Sequence, residues 1–313
     1  MAFIVERPGT YDLLVDAGRL GWRHVGVPVS GPADHTAWLL ANALVGNHPE
    51  NGVALEITWS GPVLRATADH ACALVGAEFS PRVAGRNVPG ASVWHVRAGD
   101  VIEIGTSRKG LRAYLAVAGG FEYAPLLGSR SALQPLRKGE VLLCKPQIAR
   151  RRRWLEPLPH AANFTAATAV LRFLPGPFWP QVSEQVAGRT WTVSAESNRM
   201  GLRLMADVAW ELPHDLPSVP VGIGTIQATA SGQLLILGVD GPTIGGYPRI
   251  GYVIEADWDL LGQLRPQQSV RFVAVCLEKA YQAARALHAW RHQVILRLLC
   301  TAQSSPNLFR STG

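Results

Sequence analysis

The sequence predicts a mainly β fold, two related barrels or sandwiches with few helices, and three observations predict it. Short β-branched or alternating segments bounded by Gly, Pro, Asp or Asn recur along the chain. Only two segments keep helical spacing. No regular alternation of strand and helix marks out a parallel sheet.

Strands are expected at Val53–Trp59, Ala71–Val75, Ser92–Val96, Val101–Ile104, Arg112–Val117, Glu140–Leu143, Val170–Leu174, Leu234–Val239 and Val270–Val275. The first helix has Asp34 as its N-cap, sets Ala37, Trp38, Ala41, Leu44 and Val45 on one face, and stops at Gly46-Asn47. The second runs from about Leu277 to Cys300, with Leu277, Tyr281, Ala284, Leu287, Ile295 and Leu298 at mostly helical spacing. An internal echo supports two units: the stretch from Ser60 through Val96-Arg-Ala-Gly-Asp-Val-Ile-Glu-Ile104 has a counterpart from Ser231 through Leu264-Arg-Pro-Gln-Gln-Ser-Val-Arg-Phe272. The Arg- and Pro-rich stretch from about Gln147 to Asn163 interrupts both, so the boundaries expected are 1–155, 156–280 and a C-terminal helix and tail, 281–313.

Composition excludes several classes. With 313 residues, 48% hydrophobic and 17% charged, the chain has material for sizeable cores and is not disordered. No apolar run approaches the roughly 18 residues of a membrane span. The start Met1-Ala-Phe-Ile-Val-Glu-Arg-Pro lacks a basic segment before an apolar core, so no membrane and a cytoplasmic address are expected. The four cysteines, Cys72, Cys144, Cys276 and Cys300, form no metal or disulfide pattern and read as buried small hydrophobes. Lys plus Arg outnumber Asp plus Glu, 30 to 23, a net +7. That excess is spread out apart from Arg150-Arg151-Arg152-Arg153, which reads as a solvated linker and not as a nucleic-acid patch.

Common catalytic motifs fail. Gly105-Thr-Ser-Arg-Lys-Gly110 continues Leu111-Arg112 where a P-loop needs Lys and Ser/Thr, and it spaces Ser107 wrongly for a nucleophile elbow. Gly222-Ile-Gly224 has Gln227 in the third glycine position of a dinucleotide fingerprint. No Met-Lys pair offers a site for covalent biotin, and the histidines fall into no triad spacing.

A different set of blocks carries information. Gly26-Val-Pro-Val-Ser-Gly-Pro-Ala-Asp34 is followed by Leu40-Ala-Asn-Ala-Leu-Val-Gly-Asn47, Ala54-Leu-Glu-Ile-Thr58, Ala113-Tyr-Leu-Ala-Val-Ala-Gly-Gly120, Gly128-Ser-Arg-Ser131, Ser197-Asn-Arg-Met-Gly201 and Gly245-Gly-Tyr-Pro-Arg-Ile-Gly251. In this order they resemble the family that includes the C-type subunit of 5-oxoprolinase, KipA-type antagonist proteins and the carboxyltransferase region of urea amidolyase, over nearly the whole chain up to about Val275. The resemblance implies two cyclophilin-like β-barrel domains. It also implies a KipI or 5-oxoprolinase B-type partner, with an A-type (LamB/YcsF-like) subunit as a further one, a small amide substrate, and ATP bound largely by the partner subunits. The activity implied is ATP-dependent opening of 5-oxoproline to glutamate by a complex the chain cannot complete alone. The alternatives are biotin-dependent carboxyl transfer and a non-catalytic antagonist role.

The same blocks make physical sense as sites. Gly-rich corners project polar side chains from a rigid rim, so Asn198, Arg199, Tyr247 and Arg249 are expected to face one shared cleft as the catalytic group. Arg130, Glu56, Ser30 and Asp34 are the expected substrate-binding residues. The arginines suit bidentate recognition of a carboxylate or phosphate, whereas Asn198 and Tyr247 suit an amide or oxyanion. Each has a plainer explanation: the arginines pair with loop carbonyls, Asn198 and Tyr247 tie their own turns, Asp34 is sufficiently explained as an N-cap, and Glu56 faces outward. Loss of Arg249 is then expected to cost turnover without unfolding the chain. Where relatives carry Thr-Thr-Val-Gln-Asp, this chain has Asp12-Leu-Leu-Val-Asp16, keeping Asp16, Gly18 and Arg19. The scaffold signals are thus better kept than the polar ones.

Overall fold

Strand segments that are buried on one face and wet on the other must pack that face on something, and the chain does so in two ways. The computed structural model describes residues 1–48, 52–145, 147, 156–213 and 215–300, with the side chains of 299 and 300 not described. In the N-terminal half a 6-stranded sheet runs in the order Val141–Leu143, Ala2–Arg7, Val63–Ala66, Val101–Glu103, Arg82–Val83, Arg86–Asn87. A 5-stranded sheet runs Tyr11–Val15, Ala54–Thr58, Arg112–Val117, His70–Gly76, Val93–Val96. All pairings in these sheets are antiparallel.

The C-terminal half closes. Strands Thr168–Pro175, Arg249–Val253, Thr225–Ala228, Leu234–Leu237, Gly201–Met205, Trp191–Val193 and Ser269–Ala274 form a barrel. Its seam is the parallel pairing of Thr168–Pro175 with Ser269–Ala274. Closure removes the open edges that the sheets of the first unit retain. The echoed segments have different neighbours: Val63–Ala66 pairs with 2–7 and 101–103, but Leu234–Leu237 with 201–205 and 225–228.

The helix His35–Val45 starts where its cap signal lies. Asp34 is extended and accepts the Ala37 N–H, while Gly46 takes a left-handed conformation with φ 81°. All its residues except His35 are buried, because sheet strands 70–76 and 112–117 cover one side and the C-terminal helix Leu277–Cys300 covers another. Trp38 is fully buried and donates from Nε1 to the Gly52 carbonyl at 3.1 Å. Two cores result, one around this helix and its sheets, the other inside the barrel.

Three expectations need correction or completion. Cys72 and Cys144 are buried, but Cys276 is exposed, since it sits at the surface junction between the last strand and the C-terminal helix. The amphipathic helix Trp179–Val186, with Val182 and Val186 buried, has no counterpart among the expected helices. The Arg150–Arg153 linker, the boundary at residue 155 and the tail 301–313 lie outside the described residues. No described helix is long and apolar enough to cross a membrane.

Candidate functional site

A cavity of about 380 Å³ opens where the first unit, the barrel and the C-terminal helix meet. Ser30, Ala33, His35 and Arg112 contribute from the first unit, Asn198, Arg199, Trp258 and Asp259 from the second, and His288 and Arg291 from the helix. Its size suits a small molecule.

One wall is an ion network built from the two strands beside the cleft. Ala54–Thr58 and Arg112–Val117 pair so that Tyr114 lies opposite Glu56. Glu56 is completely buried: its Oε2 accepts from Tyr114 Oη at 2.7 Å and from the Ala33 N–H at 2.9 Å, and its Oε1 pairs with Arg199 and lies 3.4 Å from Arg112 Nε. Burial alone would raise its pKa, but Arg199 and Arg112 outweigh burial and hold it below the usual carboxylate range. The Tyr114 hydroxyl, pushed well above its ordinary value by burial and by Glu56, remains a donor.

Arg199 reaches this wall from the barrel. Gly201 pairs with Leu237, and the backbone of Gly238 packs against the Arg199–Gly201 turn too closely to admit a side chain. The Asp240 N–H then donates to the Arg199 carbonyl at 3.1 Å, placing the Asp240 carboxylate on the guanidinium, with Nε–Oδ2 at 2.6 Å and Nη2–Oδ1 at 3.2 Å. Arg199 Nη2 also donates to the Gly31 carbonyl at 2.7 Å. Ser30, whose Oγ lies 3.4 Å from Arg199 Nη2, holds φ at +58°, a costly conformation for serine that its own N–H to Val239 carbonyl bond at 2.9 Å secures. Behind Arg112 and Arg199 is a second hollow, about 540 Å³, that shares Arg112, Asn198, Arg199 and Leu202 with the first.

Beside this wall, Asp34 does more than cap its helix. Its Oδ2 accepts from His160 Nε2 at 2.8 Å and Gln263 Nε2 at 2.6 Å, and its N–H donates to Tyr114 Oη at 2.7 Å. Although burial opposes it, the Asp34 carboxylate raises the His160 pKa. Gln263 Oε1 in turn accepts the Leu111 and Arg112 N–H groups. At the far end of the cleft Asp259 accepts from the His35 N–H at 2.9 Å, from the Thr36 hydroxyl and from Arg291 Nη2 at 2.7 Å. Asp34, His160 and Asp259 bring one ligand atom each within 4.8 Å of one another. These donors already occupy the carboxylate oxygens, so the arrangement is a hydrogen-bond network and does not offer a ready metal cage.

The structure redistributes the expected site residues. Asn198, Arg199 and Ser30 line the cleft. Glu56 and Asp34 are fully buried behind its wall with both carboxylate oxygens engaged, so they hold the cleft's walls and cannot meet a ligand as the structure stands. Tyr247 and Arg249 do not join Asn198 and Arg199. Across the barrel Arg249 is level with Gln227, Leu235 and Arg203, and the Ala228 N–H donates to the Pro248 carbonyl. The Tyr247 corner therefore sits at the Leu204 end of these strands, whereas Asn198 and Arg199 precede Gly201 at the other end. Antiparallel pairing put two Gly-rich corners on opposite rims, which spacing along the chain does not reveal. Arg130 is also elsewhere: its corner is clasped by Asp16, which accepts from the Arg130 N–H and Ser129 Oγ at 2.5 Å each, and its side chain borders a different hollow with Lys145 and Phe121.

The residues missed by sequence reasoning are Arg112, Tyr114, Asp240, His160, Gln263, Asp259 and His35, and Arg291, which the sequence places with Arg285 and Arg297 on a solvated helix face, is instead fixed at the cleft by Thr36 and Asp259. Arg112 and Tyr114 carried a signal, polar groups inside an otherwise apolar strand run. The others come together only through the fold.

The carboxyltransferase domain family, subdomain A and B, matches residues 25–274. The chain is 33% identical to the C-type subunit of 5-oxoprolinase from Escherichia coli (strain K12), over 94% of this chain and 98% of that protein. It is 30% identical to urea amidolyase of Lachancea kluyveri over 91% of this chain, but spans only 17% of that protein. The solved structure of the K. lactis urea amidolyase superposes with a TM-score of 0.84 at 28% identity, over 94% of this chain and 20% of that one. Family match, a 33% identity that extends over nearly the whole length, and shared architecture agree: the chain belongs to the carboxyltransferase family of subdomains A and B.

Proposed function

We propose that this chain is the C-type subunit of an ATP-dependent 5-oxoprolinase, acting with a KipI or B-type partner and an A-type subunit. One observation carries the reading: the chain is similar to a 5-oxoprolinase subunit of the C type over 98% of that protein's length, whereas urea amidolyase contains much more than this chain spans. The cleft is consistent with it, being of small-molecule size and lined by guanidinium, imidazole and amide groups. In the reaction, ATP phosphorylates the lactam oxygen and is released as ADP, a first water adds to the ring carbon and the C–N bond breaks, with the nitrogen taking up a proton, to give an acyl phosphate, and a second water then releases phosphate and leaves glutamate. Phosphorylation is needed because amide resonance opposes direct attack, and positioned donors stabilise the charge that develops. In this chain Asn198 is the cleft-lining amide for that task, while Glu56 and Asp240 hold Arg199 beside it. ATP itself is assigned to the partner subunits, and no biotin attachment is assigned to this chain.

Reconstitution tests the reading. The purified chain mixed with B-type and A-type subunits is expected to form glutamate from 5-oxoproline only when ATP is present. Carboxylation of urea or another amide that depends on biotin and bicarbonate overturns it in favour of carboxyl transfer. A tight complex that never turns over overturns it in favour of an antagonist role.

A further inference from the structure

From the geometry at the C-terminal helix we infer that Arg291 is the carboxylate-binding residue of the cleft and selects a small acidic amide over a neutral one. The inference rests on the 5-oxoprolinase reading for its substrate, since 5-oxoproline carries a carboxylate that urea lacks. Arg291 comes from Leu277–Cys300, beyond the segment that matches the family.

The three cleft arginines differ in what is left to offer. Arg199 is held by Glu56, Asp240 and the Gly31 carbonyl. Arg112 gives Nη1 to the Gly262 carbonyl and faces the buried Glu56. Arg291 is fixed on one edge only, by Nε to Thr36 Oγ1 at 2.9 Å and Nη2 to Asp259 Oδ2 at 2.7 Å. Among the described residues nothing accepts from its Nη1. A guanidinium clamped along one edge presents the remaining N–H groups in a fixed direction, so little entropy is lost when a carboxylate binds them.

The surroundings favour an anion at that end. Asp259 is the more deeply buried member of the pair, 5% exposed against 15% for Arg291, and its oxygens are filled by the His35 N–H, Thr36 and Arg291. Both members border the cavity, but the Asp259 oxygens are already filled, so Arg291 is the member with hydrogen-bonding capacity left to offer. Glu255, which also borders the cavity, would repel a carboxylate, but its Oε1 is held by His288 Nε2 at 2.7 Å. Burial, with the Arg291 charge in support, keeps the His35 imidazole below its ordinary pKa, so this neighbour is neutral and adds no competing ion pair.

The test compares 5-oxoproline with 2-pyrrolidinone, the same lactam without the carboxylate. In the reconstituted complex Arg291→Gln is expected to raise KM for 5-oxoproline about ten- to a hundredfold, the scale of a lost hydrogen bond between charged groups. It should leave kcat for 5-oxoproline within a few fold and lower the preference for 5-oxoproline over 2-pyrrolidinone by the same factor as KM rises, and Arg291→Lys should recover part of the loss. An unchanged KM for 5-oxoproline overturns the inference while leaving the activity standing. Because Arg291→Gln also removes contacts to Thr36 and Asp259, a wild-type measurement accompanies it: a crystal structure of the whole chain soaked with 5-oxoproline. A carboxylate on Arg291 supports the inference even if no complex turns over, and a carboxylate elsewhere in the cleft overturns it.

Discussion

Arg199 and Arg249 are the same residue type, both follow Gly-rich or amide-containing corners, and both belong to the barrel, yet the fold treats them oppositely. Arg199 is buried, tied to Asp240 within the barrel and to Glu56 across the boundary between the two units. Arg249 is half-buried on the other rim, and among the described residues its side chain makes one hydrogen bond, a long one, 3.5 Å, from Nη1 to Tyr252 Oη. A corner delivers chemistry only when a second unit meets it, and only one of these corners is met.

The comparison can be broken most directly at Arg199. Arg199→Met leaves Glu56 and Asp240 without their shared cation, so unfolding free energy is expected to fall by about 3–5 kcal/mol, the usual effect of removing one partner from a buried pair. Urea denaturation measures this. A loss below about 1 kcal/mol would mean that Arg112 alone satisfies Glu56.

Asp12 supplies the contrasting case of a buried carboxyl without a cation. Its Oδ2 accepts the Gly9 N–H at 2.5 Å, its Oδ1 is buried with no partner among the described residues, and burial, only partly offset by Gly9, pushes its pKa up to about 7. A carboxyl that holds its proton more tightly when folded contributes fully below its unfolded value, 3.8, and progressively less as pH rises through about 7. Asp12→Asn is therefore expected to stabilise the chain at pH 8 relative to wild type and to lose that advantage at pH 4. Thermal melts across this range that show a constant difference would remove Asp12 as the titrating group.

The smallest effect belongs to Arg249. Arg249→Ala is expected to change stability by no more than about 0.5 kcal/mol and to leave turnover in the reconstituted complex near wild type, contrary to what the sequence alone led us to expect. A large loss of kcat would move the chemistry to the opposite rim and make the comparison one between two sites.

Much of the architecture was legible because its signals are local. The helix His35–Val45 begins at the Asp34 cap and ends at Gly46 as the residues indicate, and Arg112–Val117 is a strand over the span its pattern marks. Strands such as Tyr11–Val15 and Gly201–Met205 were missed, since their patterns are short and half-wet, and their pairing comes from distant segments. The site was less legible for the same reason. Glu56, Arg199 and Ser30 drew attention as motif residues, but that Glu56 faces inward depends on Tyr114 and Arg112 lying on the adjacent strand. His160 and Asp259 stand in no recognisable spacing to Asp34, and only docking of the barrel places them beside it.

The Asp34 carboxylate has a consequence for modularity. It caps a helix of the first unit, holds His160 on the approach to the barrel and binds Gln263 beyond most of the barrel strands. Transplanting the second unit from a relative would succeed only if the donor brought matching hydrogen-bond donors to both places. The two units share a keystone, and a chimera that ignores it would leave a buried charge facing empty space at the seam.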